Sequence, residues 1–120
     1  MSLDVSLVCT KWVSYDEGKT HTKEDECVYD ANITHNLGKM AGEAGIYEAL
    51  WTPQEINKKK AEEIIELLEV GLTDLKERPE YFEKFNSPNG WGMYEHFVPF
   101  VEKYLNACKE YPECLIEISM

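Results

Sequence analysis

The sequence predicts a single α+β domain over residues 1 to 120, a small antiparallel sheet of about three strands packed on three or four helices. Three observations predict it. Apolar residues alternate with period two in "LDVSLVCTKWV" and "CVYDANI" near the start and in "ECLIEISM" at the end. The middle carries helical spacing instead, and 120 residues supply one core without a linker, repeat or low-complexity tract.

The first strand follows from Leu3, Val5, Leu7 and Cys9 alternating with Asp4 and Ser6. The polar, glycine-containing "SYDEGKTHTKEDE" fits a hairpin or longer loop, after which Cys27, Tyr29, Ala31 and Ile33 share one face of a second strand expected to pair with the first. In "ANITHNLGKMAGEAGIYEALW", residues 31 to 51, the strand runs into a helix. Thr34 or Asn32 is its N-cap, and Leu37, Met40, Ala41 and Ala44 are its inward stripe. Gly38, Gly42 and Gly45 each cost up to about 1 kcal/mol relative to Ala inside a helix, so this helix is expected to be short and irregular or closely approached by backbone.

"TPQE" at 52 to 55 has the form of a capping box, with Thr52 as cap, Pro53 first in the helix and Glu55 reaching back. From Asn57 onward Ala61, Ile64, Ile65, Leu68, Leu72 and Leu75 form the clearest amphipathic stripe, with Glu62, Glu63, Glu66 and Glu69 towards solvent. This helix ends before Pro79, and "PEYFEKF" is a short helical piece. "NSPNGWG" is turn chemistry, and Tyr94, Phe97, Val98, Val101, Tyr104, Leu105 and Cys108 mark a last helix that Pro99 is expected to kink. Cys114, Ile116, Ile118 and Met120 then make a third strand, a natural neighbour for the first.

Twelve Lys and Arg against 23 Asp and Glu give a net charge of -11. The one basic run, Lys58 to Lys60, is followed at once by Glu62 and Glu63, so direct binding of nucleic acid or an anionic membrane is excluded in expectation. The acidic surface fits either a solubilising face or an imitation of nucleic acid towards a basic protein. No basic leader opens the chain and no apolar run nears the roughly 18 residues of a membrane span, which points to the cytosol. Cys9, Cys27, Cys108 and Cys114 form no CxxC pair and sit at apolar phases, so they are expected to be reduced core residues, with no metal and no cofactor.

The candidate site lies in "NITHNLGK", residues 32 to 39, where the free N–H groups of a helix start meet the sheet edge. Asn32 and Asn36 offer donors and acceptors, Thr34 a hydroxyl, His35 an imidazole and Lys39 a cation, a set suited to a phosphate, carboxylate or amide. A second cluster, Asn89, Trp91, Tyr94, Glu95 and His96, joins aromatic surface to a carboxylate and an imidazole around a glycine turn. Facing each other, the two would stack a ring and hold its polar group. Each also fits a structural part, a capped turn and a pair of core anchors.

"MSLDV", "ANITHNLGKMA", "AGIYEALW", "NGWGMYEHFVPFV" and "YLNAC" resemble the signature stretches of small uncharacterised bacteriophage and prophage proteins, over most of the chain. The resemblance brings no catalytic residues with it. Those proteins have a shorter first hairpin and an Arg where Thr52 stands here, so any Arg-dependent anion role does not carry over. It implies a phage setting inside a host cell, where small acidic proteins work by binding: inhibiting a host protein, imitating DNA, or sequestering a nucleotide signal used in defence.

The function expected is therefore a non-catalytic binding protein that takes a small polar or anionic, nucleotide-like ligand through Asn32, Thr34, His35, Asn36, Lys39, Trp91, Tyr94 and Glu95. Two alternatives stay open. One is an acidic interaction protein that blocks a host surface through Glu62, Glu66 and Glu69; the other is a small hydrolase or transferase using His35, or His96 with Glu95.

Overall fold

The structure is a computed structural model that describes the backbone of residues 2–14 and 21–120. It shows the expected α+β arrangement. The strands are β1 (Ser2–Ser14), β2 (His21–Thr34) and β3 (Leu115–Ser119), and the helices are α1 (Gly38–Glu43), α2 (Tyr47–Trp51), α3 (Ile65–Glu77), α4 (Pro79–Glu83) and α5 (Tyr94–Glu110). Single 3-10 turns lie at His35–Leu37, Pro53–Ile56 and Ala61–Ile64. Among the described residues no helix is long and apolar enough to cross a membrane.

The sheet order is β2-β1-β3, antiparallel throughout, so the first and last strands are neighbours and β2 lies at an edge. Leu3, Val5 and Leu7 are fully buried beneath the helices, while Asp4 on the opposite face is exposed, the usual division for a sheet covered on one side. Both hairpin strands run further than alternation alone predicts, since the ladder continues to Ser14↔His21. Residues 21–26 are therefore strand rather than loop, and the expected tip at 15–20 lies outside the described residues.

One irregularity changes the reading of β2. Leu7 opposes Tyr29 and Val8 opposes Cys27, which leaves Val28 as the extra residue of a bulge. An extra residue inverts the alternation, so Cys27, expected beside Tyr29 in the core, is exposed.

The cysteine reading is corrected at a second place. The β1–β3 register ends at Val8↔Leu115, which brings Cys9 and Cys114 opposite one another, 4.5 Å apart between Cα atoms and joined in a disulfide. That spacing is usual for opposed antiparallel residues that exchange no backbone hydrogen bonds. Cys108 is the core cysteine of the expectation: it is free, buried, and its thiol is pushed up to about 12 by that burial.

The helical stripes pack as their spacing dictates. Ala61, Ile64, Leu68, Leu72 and Leu75 are buried, with Glu62, Glu63, Glu66 and Glu69 exposed, and α5 buries Phe97, Val101, Tyr104, Leu105 and Cys108 against them. α5 runs through Pro99 without a break in the helix. The first helix is indeed short: Gly45, at φ 76°, turns the chain between α1 and α2. Gly71 of α3 sits where any Cβ would overlap Ile46, so only glycine lets α3 cross this turn so closely.

The capping box at 52 to 55 is not formed. Pro53–Ile56 is a single turn closed by Asn57 in the left-handed region, and the Thr52 hydroxyl, though buried, makes no hydrogen bond among the described residues. The glutamate that reaches back is Glu63, whose Oε1 accepts from the N–H groups of Lys60 at 2.9 Å and Lys59 at 3.1 Å. The Lys60 N–H first, and then that of Lys59, hold this carboxyl below the usual range.

Candidate functional site

The site begins where β2 ends. Thr34, extended at ψ 142°, caps the His35–Leu37 turn, its hydroxyl accepting the Asn36 N–H at 3.5 Å. Leu37 points inward and anchors the turn, which leaves the Asn36 side chain free to reach across to the 86–92 loop. There its Nδ2 donates to the Trp91 carbonyl at 2.8 Å.

The loop is built to accept this bond. Asn89 Oδ1 accepts from the Trp91 N–H at 3.0 Å and from the Ser87 hydroxyl at 2.6 Å, and the Ser87 N–H donates to the Gly92 carbonyl at 3.0 Å. Gly90 and Gly92 hold φ of 79° and 117°, and a Cβ on Gly92 would lie 2.9 Å from that of Asn36. Only glycine permits so close a seat at such a backbone angle. The two polar clusters of the sequence therefore touch.

Between them runs a groove in two halves, each about 420 Å³, that share Asn32, Thr34 and Trp91. Ser2, Asn36 and Asn89 complete the polar half; Ile33, Leu37, Met93 and His96 contribute to the other, mainly apolar one. Trp91 stands between the halves and is 69% exposed, although its backbone is bonded on both sides. Asn32 is oriented by Asp4, to whose carboxylate its Nδ2 donates at 2.6 Å.

The other expected site residues lie elsewhere. Trp51 is fully buried, and its indole N–H donates to His35 Nδ1 at 3.1 Å, with the rings edge to face. His35 is thus an acceptor for a core tryptophan. Lys39 lies over the Phe85 ring, 5.5 Å from its centroid. The Tyr94 hydroxyl donates to the Leu75 carbonyl at 2.7 Å, and burial holds its phenol above the usual range. Glu95 faces outward, 3.9 Å from His96 Nε2. The lining residues that the sequence reading left out of its site, Ser2, Ile33 and Met93 among them, carry no polar-cluster signal; only their register on β1, β2 and the glycine turn places them there.

A test of His35 follows. His35→Ala removes the acceptor of a buried indole N–H, and is expected to lower stability by about 1 to 3 kcal/mol, while His35→Gln should recover part of the loss. Denaturant melts of the two variants decide it. Equal stability of wild type and His35→Ala would mean that the Trp51 N–H finds another partner.

Among the described residues no three His, Cys, Asp or Glu side chains gather as a metal site. No protein-family model, characterised protein or solved structure matches the chain.

Proposed function

We propose that this is a non-catalytic binding protein that holds a small ligand, a flat ring with a polar edge, in the groove beside Trp91. The observation that carries the reading is the exposed indole of Trp91, held in one place by bonds to its own backbone, with amide side chains on one side and apolar surface on the other. A ring stacks on such a face while its polar edge meets Asn32, Asn36 or Asn89. The phage setting implied by the resemblance is the context proposed for it, with counter-defence as the use.

The lining also narrows the ligand. Among the described residues its polar half contains no Lys or Arg, Asp4 stands beside Asn32, and Lys39 is engaged away from it over Phe85. In a chain of net charge -11 this environment supports a neutral base or nucleoside over a phosphate. An enzymatic use of His35 is disfavoured by its bond to Trp51, and Lys109 already pairs with Glu69 of the acidic helix at 3.1 Å.

Titration with nucleosides, their monophosphates and aromatic amides, followed by tryptophan fluorescence and calorimetry, tests the reading. Nucleosides are expected to bind more tightly than their monophosphates, and Trp91→Ala should weaken binding by about 1 to 3 kcal/mol, the worth of one stacked base. Its melting temperature should stay unchanged. Binding that survives Trp91→Ala in full would place the ligand elsewhere.

A further inference from the structure

The Trp91 groove continues past Trp91. Its apolar half shares Asn32, Ile33 and His96 with a third hollow of about 280 Å³, which follows β2 back to Tyr29 and α5 onward to Lys103. One wall is a single helical face, since His96, Pro99, Phe100 and Lys103 recur at positions i, i+3, i+4 and i+7. The other wall is the outer edge of β2.

Among the described residues that edge has no neighbouring strand. Among the described residues, the backbone from Asp30 to Ile33 bonds to β1 and to no other segment, and in an antiparallel ladder every second residue directs its N–H and C=O away from its partner. The groove thus runs along an edge that offers backbone donors and acceptors. From Tyr29 in this hollow to Thr34 in the half beside Trp91 it extends about 17 Å, the length of roughly five or six extended residues.

Charge adds a direction. His96 and Lys103 are exposed on the helix side, and Lys103 makes no ion pair among the described residues. Among the described residues Lys103 is the one Lys, Arg, Asp or Glu lining this hollow, and it favours an acidic group at that end.

We infer that the groove takes an extended peptide segment of a partner protein, added to β2 as a fourth strand, with a ring-bearing side chain on Trp91 and an acidic residue beside Lys103. This rests on the reading of Trp91 as a ring-stacking face and goes beyond it, from a small ring to a ring carried on a partner's chain. Main-chain pairing would supply affinity, and the two anchored side chains would supply selectivity.

An array of linear peptides of about eight residues, probed with the whole protein, tests this. Binding peptides are expected to carry an aromatic and an acidic residue about four to six positions apart. Single backbone N-methylation should weaken binding about tenfold or more at alternate positions only, the period of strand pairing. Lys103→Glu and Trp91→Ala should each weaken it about tenfold or more at an unchanged melting temperature, with Lys103→Arg close to wild type. Insensitivity to Lys103→Glu, or N-methyl effects without the alternation, would overturn the inference. Binding of free nucleosides or aromatic amides with no peptide bound would overturn it too, yet leave the Trp91 reading standing; failure of both classes would remove both readings.

Discussion

Reducing the Cys9–Cys114 disulfide is expected to lower the unfolding free energy by about 3 to 5 kcal/mol, because it opens a loop of 105 residues that nearly spans the chain. The bond holds β3, a strand of only five residues at the sheet edge, against β1. Without it, β3 keeps its short ladder to β1, together with the Ile116 N–H to Lys59 carbonyl bond at 2.8 Å. Melts with and without reductant should therefore differ, and Cys114→Ser should match the reduced protein under both conditions. Cys27→Ser, at an exposed position, should leave the difference intact. Alkylation of the native oxidised protein should modify Cys27 alone, since Cys108 is buried with its thiol pushed up to about 12. Superimposable melts would show that the two thiols do not bridge in solution.

Such a bridge is nearly invisible in a sequence. Spacing motifs identify cysteines that are close along the chain, whereas Cys9 and Cys114 meet only through the register of strands at its two ends. The pairing of those strands was legible, since alternation at both termini and helical spacing between them leave few other arrangements. The helical stripes were legible for the same reason: Leu68, Leu72 and Leu75 lie inward because their spacing matches the helical period. Features that hinge on a single residue were not. Val28 inserts into β2 with no compositional mark, and it puts Cys27 outside.

The site was legible in its parts and illegible in its assignments. Polar residues at a helix start and an aromatic glycine turn are visible as clusters, and the groove does lie between them. Which polar atoms remain available depends on tertiary partners. His35 is taken up by Trp51 and Lys39 by Phe85, so neither lines the groove. Conversely, Lys103 belongs to no polar cluster of the sequence, and only the packing of α5 beside the edge of β2 gives it a place.

Substitution of Gly92 is the change expected to damage fold and site together. At φ 117° a side chain is strained, and its Cβ would meet that of Asn36 at 2.9 Å. Backbone strain and overpacking each cost about 1 to 3 kcal/mol, so Gly92→Val is expected to lose about 2 to 5 kcal/mol, and Gly92→Ala to fall at the lower end. The loss has a direction that can be tested. To relieve the clash the loop must retreat from the His35–Leu37 turn, which lengthens the Asn36 Nδ2 to Trp91 carbonyl bond and shifts the exposed indole away from Asn32 and Thr34. Asn36→Ala removes that same bond without strain, and at an exposed position it should cost only about 0.5 to 1.5 kcal/mol. All three variants are expected to bind nucleosides or peptides at least about tenfold more weakly than wild type, while only the Gly92 variants melt much earlier. Gly92→Ala with wild-type stability would show that the loop can retreat freely. Asn36→Ala with wild-type affinity would show that Trp91 is positioned by its own turn, through Asn89, and not by the strand-to-helix junction.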